Sequence, residues 1–235
     1  MPHCLMYNAS SYSFIAVIGA SLHLWDATDG SYIRSFTDFS NADVTSATTD
    51  LPRERRVFVG DEAGVVSMLN FITGQPLHSR KLHEAEVTST IFSPDYGVLI
   101  SSSLDSKIKM TLAADGELTD MRTIENAHDG GVAISVYCPK LGIVVSGGHR
   151  DGEFKVWDFQ RLSLKAVGSA THKDVMSIAL ISSHALIVVG GGNGTCHLWR
   201  YLWKGEDATV RRYEERSDEA LRISRRLASP RRVDK

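Results

Sequence analysis

Residues 127–158 read AHDGGVAISVYCPKLGIVVSGGHRDGEFKVWD, and the layout of this stretch decides the fold. His128 stands at its start and Trp157-Asp158 closes it, with Ser146 and Asp151 between them. The run Ile143-Val144-Val145 is apolar, β-branched and bounded by Gly142 and Ser146, which is the texture of a short core strand.

Working outward, the same layout returns along the chain. Trp25-Asp26 is followed by Ala27-Thr28-Asp29-Gly30, Leu69-Asn70 by Phe71-Ile72-Thr73-Gly74, and Thr111-Leu112 by Ala113-Ala114-Asp115-Gly116. With Trp157 and Trp199, these anchors are spaced by 44, 42, 46 and 42 residues. A second series, Asn41, His83, His128 and His172, lies 27–29 residues before the last four anchors. A third, Asp105, Asp151 and Asn193, lies six residues before its anchors. Gly64, Gly152 and Gly194 follow one position later and supply the positive φ that a tight hairpin requires. Three series in one register define a repeat.

The strands between these markers are short. Val57-Phe58-Val59, Val98-Leu99-Ile100 and Ala185 through Val189 are apolar runs bounded by turn residues, and no helical period is sustained before about residue 214. Each unit therefore reads as four antiparallel strands. For the third unit these are Val87–Phe92, Val98–Ser102, Lys107–Leu112 and Leu118–Ile124.

A period near 43 with an early His and a late Trp-Asp resembles WD40 repeats, which build the blades of β-propellers. The resemblance covers residues 3 to about 214 and implies an all-β propeller array of five four-stranded blades, approximately 1–39, 40–81, 82–126, 127–169 and 170–214, with a charged tail at 215–235. It also implies a hydrogen-bonded blade set: His128, Ser146, Asp151 and Trp157 in unit 4; His83, Ser101 and Asp105 in unit 3, with Thr111 in place of Trp; and His172, Asn193 and Trp199 in unit 5. In unit 2, Asn41 and Leu69 stand where His and Trp would be. Unit 1 presents Phe14, Ile15, Val17 and Ile18, although an end repeat needs a polar outer face. Three arrangements remain open: a piece of a longer propeller protein, a five-bladed ring, and an open array completed by self-association or by another chain.

Composition excludes several classes. In 235 residues, 26 basic and 28 acidic side chains leave a net charge of −2, so no global field favours nucleic acid or an anionic membrane. Three scattered cysteines fit a reducing, intracellular setting. The uncharged stretch from Cys4 to Trp25 has an apolar core of only seven residues, Phe14 to Ala20, and reads as a strand and not as a membrane span. His149-Arg150-Asp151 spells a kinase catalytic-loop triplet, but Val156 stands where its metal-binding Asn belongs. Gly190-Gly191-Gly192-Asn193-Gly194 precedes a strand, not the helix that a phosphate loop needs. No catalytic set, metal site or cofactor is expected.

The expected function is non-catalytic: a protein-interaction scaffold, the alternative being part of a larger multidomain repeat protein with its activity elsewhere. Asp43, Glu84, Glu86, Asp129 and Asp174 lie beside the His-type positions and form a candidate rim for a Lys/Arg-rich partner peptide. The tail carries seven basic and four acidic residues, net +3, and reads as a short helix or a disordered end.

Overall fold

The computed structural model describes residues 4–114, 116–169, 174–204 and 207–212. The tail at 215–235 lies outside them. The chain folds as five four-stranded antiparallel sheets, each made of consecutive strands. Blade 1 holds β1 (Cys4–Asn8), β2 (Ser13–Ile18), β3 (Ser21–Asp26) and β4 (Tyr32–Phe36). Blade 2 holds β5 (Val44–Thr49), β6 (Arg56–Asp61), β7 (Val65–Asn70) and β8 (Pro76–Lys81). Blade 3 holds β9 (Val87–Ser93), β10 (Val98–Ser103), β11 (Ile108–Ala114) and β12 (Glu117–Ile124). Blade 4 holds β13 (Val132–Cys138), β14 (Ile143–Gly148), β15 (Glu153–Asp158) and β16 (Leu164–Ser169). Blade 5 holds β17 (Val175–Ile181), β18 (Leu186–Gly191), β19 (Cys196–Lys204) and β20 (Asp207–Arg212).

The repeat extends to backbone irregularities. The ladder between third and fourth strands shifts register at Leu24/Trp25, Met68/Leu69, Met110/Thr111 and Val156/Trp157, always at the anchor residue. A second shift recurs at the start of the first strand, at Val44/Ser46, Val132/Ile134 and Val175/Ser177. Such bulges add twist and re-aim side chains.

Blades pack through that first strand. Val44, Val87, Val132 and Val175, equivalent residues opening β5, β9, β13 and β17, are all 0% exposed. Two of them seat on a glycine of the preceding blade. A Cβ on Gly60 would lie 2.4 Å from Val87 Cγ1, and one on Gly147 would lie 2.4 Å from Val175 Cγ1. Only a residue without a side chain admits so close an approach. Neighbouring blades also exchange hydrogen bonds: the Thr45 hydroxyl donates to the Val87 carbonyl at 2.6 Å and that of Thr88 to the Val132 carbonyl at 2.7 Å.

The buried apolar side chains fall into four clusters, at the seams between blades 1 and 2, 2 and 3, 3 and 4, and 4 and 5. No such cluster joins blade 5 to blade 1 among the described residues; the end faces are the sides of these two blades turned away from blades 4 and 2. In blade 1, strand alternation divides the four apolar residues singled out in the sequence. Ile15 and Val17 are buried toward blade 2, while Phe14 and Ile18 point to the end face and are exposed. Tyr7 and Phe14 pair across β1 and β2 with ring centroids 5.5 Å apart, and Trp25 meets Tyr32 edge-on at 5.7 Å. On blade 5, Gly190 occupies the place of Gly60 and Gly147, and a Cβ there would first meet the Ser177 hydroxyl of its own sheet.

Candidate functional site

Blade 4 contains an unbroken buried hydrogen-bond chain. The Trp157 indole N–H donates to Ser146 Oγ at 2.8 Å, and Ser146 Oγ lies 2.8 Å from His128 Nε2. His128 Nδ1 lies 2.7 Å from Asp151 Oδ2, and Asp151 Oδ1 accepts the Glu153 backbone N–H at 2.9 Å. Only one protonation pattern satisfies every member. The carboxylate accepts from Nδ1–H, and the neutral Nε2 accepts from the serine hydroxyl. Burial favours this neutral form: it pushes the His128 pKa below 6.5, against the opposing pull of Asp151.

Blade 3 repeats the motif without its tryptophan. His83 Nε2 lies 2.8 Å from Ser101 Oγ, and His83 Nδ1 lies 3.0 Å from Asp105 Oδ2. Burial by itself raises the Asp105 pKa, but His83 and the backbone N–H groups of Glu84 and Lys107 outweigh it and lower the carboxyl to about 2. Thr111, in the tryptophan's place, is 0% exposed, and its hydroxyl has no partner among the described residues.

Blades 5 and 2 depart further. Asn193 Oδ1 accepts the Thr195 backbone N–H at 3.2 Å and the Thr195 hydroxyl at 2.7 Å, which closes the hairpin. Trp199 sets its ring edge-on to Phe154, centroids 5.1 Å apart, but its indole N–H has no partner among the described residues. The reason is sequence: Val189 occupies the place of Ser146. His172 lies outside the described residues. In blade 2 the incoming loop is tied down by Ser40, not Asn41; the Ser40 hydroxyl donates to Asp61 Oδ2 at 2.8 Å. Asp61 Oδ1 accepts the N–H groups of Ala63 and Val65 at 3.0 and 2.9 Å. The sequence signal was Asp61 three residues ahead of Gly64.

These networks fix the loops that carry the acidic residues. In each blade from 2 to 5 the hairpin between second and third strands bonds back to the incoming loop: Glu62 N–H to Asp43 O, Leu104 N–H to Glu86 O, His149 N–H to Gly131 O, and Gly192 N–H to Asp174 O. All these loops therefore open on one side of the array. Asp43, Glu86 and Asp174 are equivalent residues, each preceding its buried valine, with Gly131 at that place in blade 4. Glu84 and Asp129 are equivalent to each other, each following its histidine.

Among the described residues, Glu84 and Asp174 have local partners. Glu84 pairs with Lys81 at 3.1 Å, and Asp174 Oδ1 accepts the Arg150 backbone N–H at 2.9 Å with His149 Nδ1 at 3.5 Å. Arg150, an extra residue in its hairpin, adopts a left-handed φ of 73°. It lies with Asp129, Asp151 and Glu153 around a shallow depression on this side.

The WD domain, G-beta repeat family model matches residues 74–110 and 165–200, so WD40 repeats are present at two places in the chain. Over 123 residues the chain is 30% identical to the cilia- and flagella-associated protein 337 B of Tetrahymena thermophila, covering 52% of this chain and 10% of that protein. The chain thus spans about a tenth of the length of that curated relative. A crystal structure of the mitotic checkpoint complex contains a chain that superposes with a TM-score of 0.74 at 14% identity, over 89% of this chain and 63% of that one. The crystal structure of the computationally designed Ika8 protein superposes with a TM-score of 0.69 at 21% identity, over 83% of this chain and 57% of that one. Both likenesses concern the fold: an array of WD40-type blades. No helix among the described residues is long and apolar enough to cross a membrane.

Proposed function

We propose that this WD40-repeat chain is a non-catalytic scaffold that captures a Lys/Arg-rich segment of a partner protein on the side bearing Asp43, Glu84, Glu86, Asp129 and Asp174. The observation that carries the proposal is repetition. Carboxylates recur at equivalent positions, Asp43, Glu86 and Asp174, ahead of valines that are themselves locked between blades. Their spacing is thereby set by the rigid part of the fold, and like charges held in one field steer an oppositely charged ligand. The likeness to a cilia- and flagella-associated protein makes ciliary complexes a first place to seek that partner.

A labelled Lys/Arg peptide library, screened by fluorescence polarisation, tests this. Binding should weaken at least ten-fold when all five carboxylates become Asn or Gln. Equal binding to both forms would assign the rim to solvation alone.

A second reading rests on the end faces. Exposed Leu5, Tyr7, Phe14 and Ile18 on blade 1, and the uncovered Gly190 on blade 5, match surfaces that elsewhere in the array bury a neighbouring blade. Further blades, from the same polypeptide or another, fit these faces, and the scaffold then belongs to a larger propeller.

A further inference from the structure

On the side opposite the acidic loops, a cavity of about 810 Å³ opens between blades 2 and 3. Its walls include Arg53 and Arg55 on the β5–β6 connection, Arg56 at the start of β6, and the blade 3 residues Phe92 and Pro94. The three guanidinium groups have no ion pair among the described residues. Two acids share their loop, yet both are taken by backbone donors. Asp50 Oδ1 accepts the Arg56 N–H at 2.8 Å, and Glu54 Oε2 accepts the Ser10 N–H at 2.6 Å across the seam to blade 1. Asp50 is 8% and Glu54 5% exposed, so neither is free to swing toward the arginines.

Arg56 is half-buried, and among the described residues its side chain reaches only the Met68 thioether, a weak acceptor, from Nη1 at 3.9 Å. Arg53 and Arg55 are exposed beside it. Arg53, Arg55 and Arg56 outnumber the fixed carboxylates of Asp50 and Glu54, so the segment is net positive and a ligand carrying carboxylates offsets the excess. The planar fork of arginine suits a carboxylate in a bidentate pair. The apolar wall is firm: Phe92 stacks on the fully buried Phe58 with centroids 5.3 Å apart and planes at 16°.

We propose that this cavity docks an acidic peptide segment of a partner protein, its carboxylates on Arg53, Arg55 and Arg56 and a neighbouring apolar side chain against Phe92. The site is independent of the acidic rim and of the proposal built on it. Together the two sites would let one rigid array hold a basic and an acidic segment on opposite sides. Three clustered arginines beside an apolar wall make a pocket, not the continuous basic track that a nucleic-acid strand follows.

The test is fluorescence polarisation with the full chain and a fluorescein-labelled twelve-residue peptide of alternating Glu and Leu, against the same peptide with Gln for Glu. The Glu peptide should bind at least ten-fold more tightly at low salt, and the preference should shrink as salt rises. Arg53→Gln with Arg55→Gln, both at exposed positions, should weaken binding about ten-fold, and Arg53→Lys with Arg55→Lys should weaken it less. The five-fold rim variant should bind as the unaltered chain does. The proposal is overturned by equal affinity for the Glu and Gln peptides, or by binding indifferent to the arginine changes. Displacement of the peptide by inorganic phosphate at equal charge, or tighter binding of an oligothymidine, would also overturn it.

Discussion

His128→Ala is the most informative single perturbation of the fold. His128 is 0% exposed, with ring nitrogens 2.7 Å from Asp151 Oδ2 and 2.8 Å from Ser146 Oγ. Its removal leaves both partners short of a hydrogen bond. An orphaned buried polar group costs about 1–3 kcal/mol, and an ionised one costs more. Asp151 keeps the Glu153 N–H on its other oxygen and its side chain is 12% exposed, so its share falls at the lower end. The sum is about 2–4 kcal/mol, or roughly 5–15 °C in melting temperature for a chain of this size. His149→Ala is the control. Its side chain is 36% exposed, with Asp174 at 3.5 Å and 39% exposed. An exposed pair of that kind contributes about 1 kcal/mol or less. Thermal melts give the total, and hydrogen exchange read by mass spectrometry should place the lost protection in β13 to β15. If His149→Ala proves as damaging as His128→Ala, the assignment of the buried histidine is wrong.

Acidification should weaken the fold in two stages. His128 is held below 6.5, so the unfolded imidazole takes its proton first and stability begins to fall below about pH 6.5. The Asp105 carboxyl, lowered from 3.8 to about 2, contributes stability that is complete above about pH 4 and lost as pH falls toward 2. Discounted for solvent reaching the turn, that second stage amounts to about 1–2 kcal/mol; urea midpoints against pH should show both, and Asp105→Asn should flatten only the second. Gly147→Ala should destabilise by about 1–3 kcal/mol, because the new methyl meets Val175 Cγ1 at 2.4 Å. Gly190→Ala should cost about 0.5 kcal/mol or less, since it meets chiefly the rotatable Ser177 hydroxyl, and chemical denaturation of the pair compares a covered seam with an open end.

The blades were legible because each is written several times. The third unit's strands, read as Val87–Phe92, Val98–Ser102, Lys107–Leu112 and Leu118–Ile124, differ by one or two residues at some ends from β9 to β12, because pairing there depends on bulges and turns. Where one repeat diverges, the pattern loses its guide. Ser40 performs the loop-tying task expected one position later, because a hydroxyl reaches Asp61 from a different backbone place than an imidazole does. That the Trp199 indole N–H has no partner among the described residues follows from Val189, which the sequence shows but does not place beside the indole. The arginine cavity was invisible for a different reason. Arg53, Arg55 and Arg56 are adjacent in sequence, but Phe92 and Pro94 reach them only through packing of blade 2 on blade 3.

The central claim, that the acidic loop side recruits a basic partner by its charge, is tested most directly by an association rate. Stopped-flow mixing of the full chain with a labelled Arg-rich peptide at several salt concentrations reads steering separately from the tightness of the final contact. The rate should fall steeply with rising ionic strength. In the variant with Asp43, Glu84, Glu86, Asp129 and Asp174 neutralised it should be slower at low salt and nearly independent of salt. Equal rates and equal salt slopes for the two proteins would contradict the account.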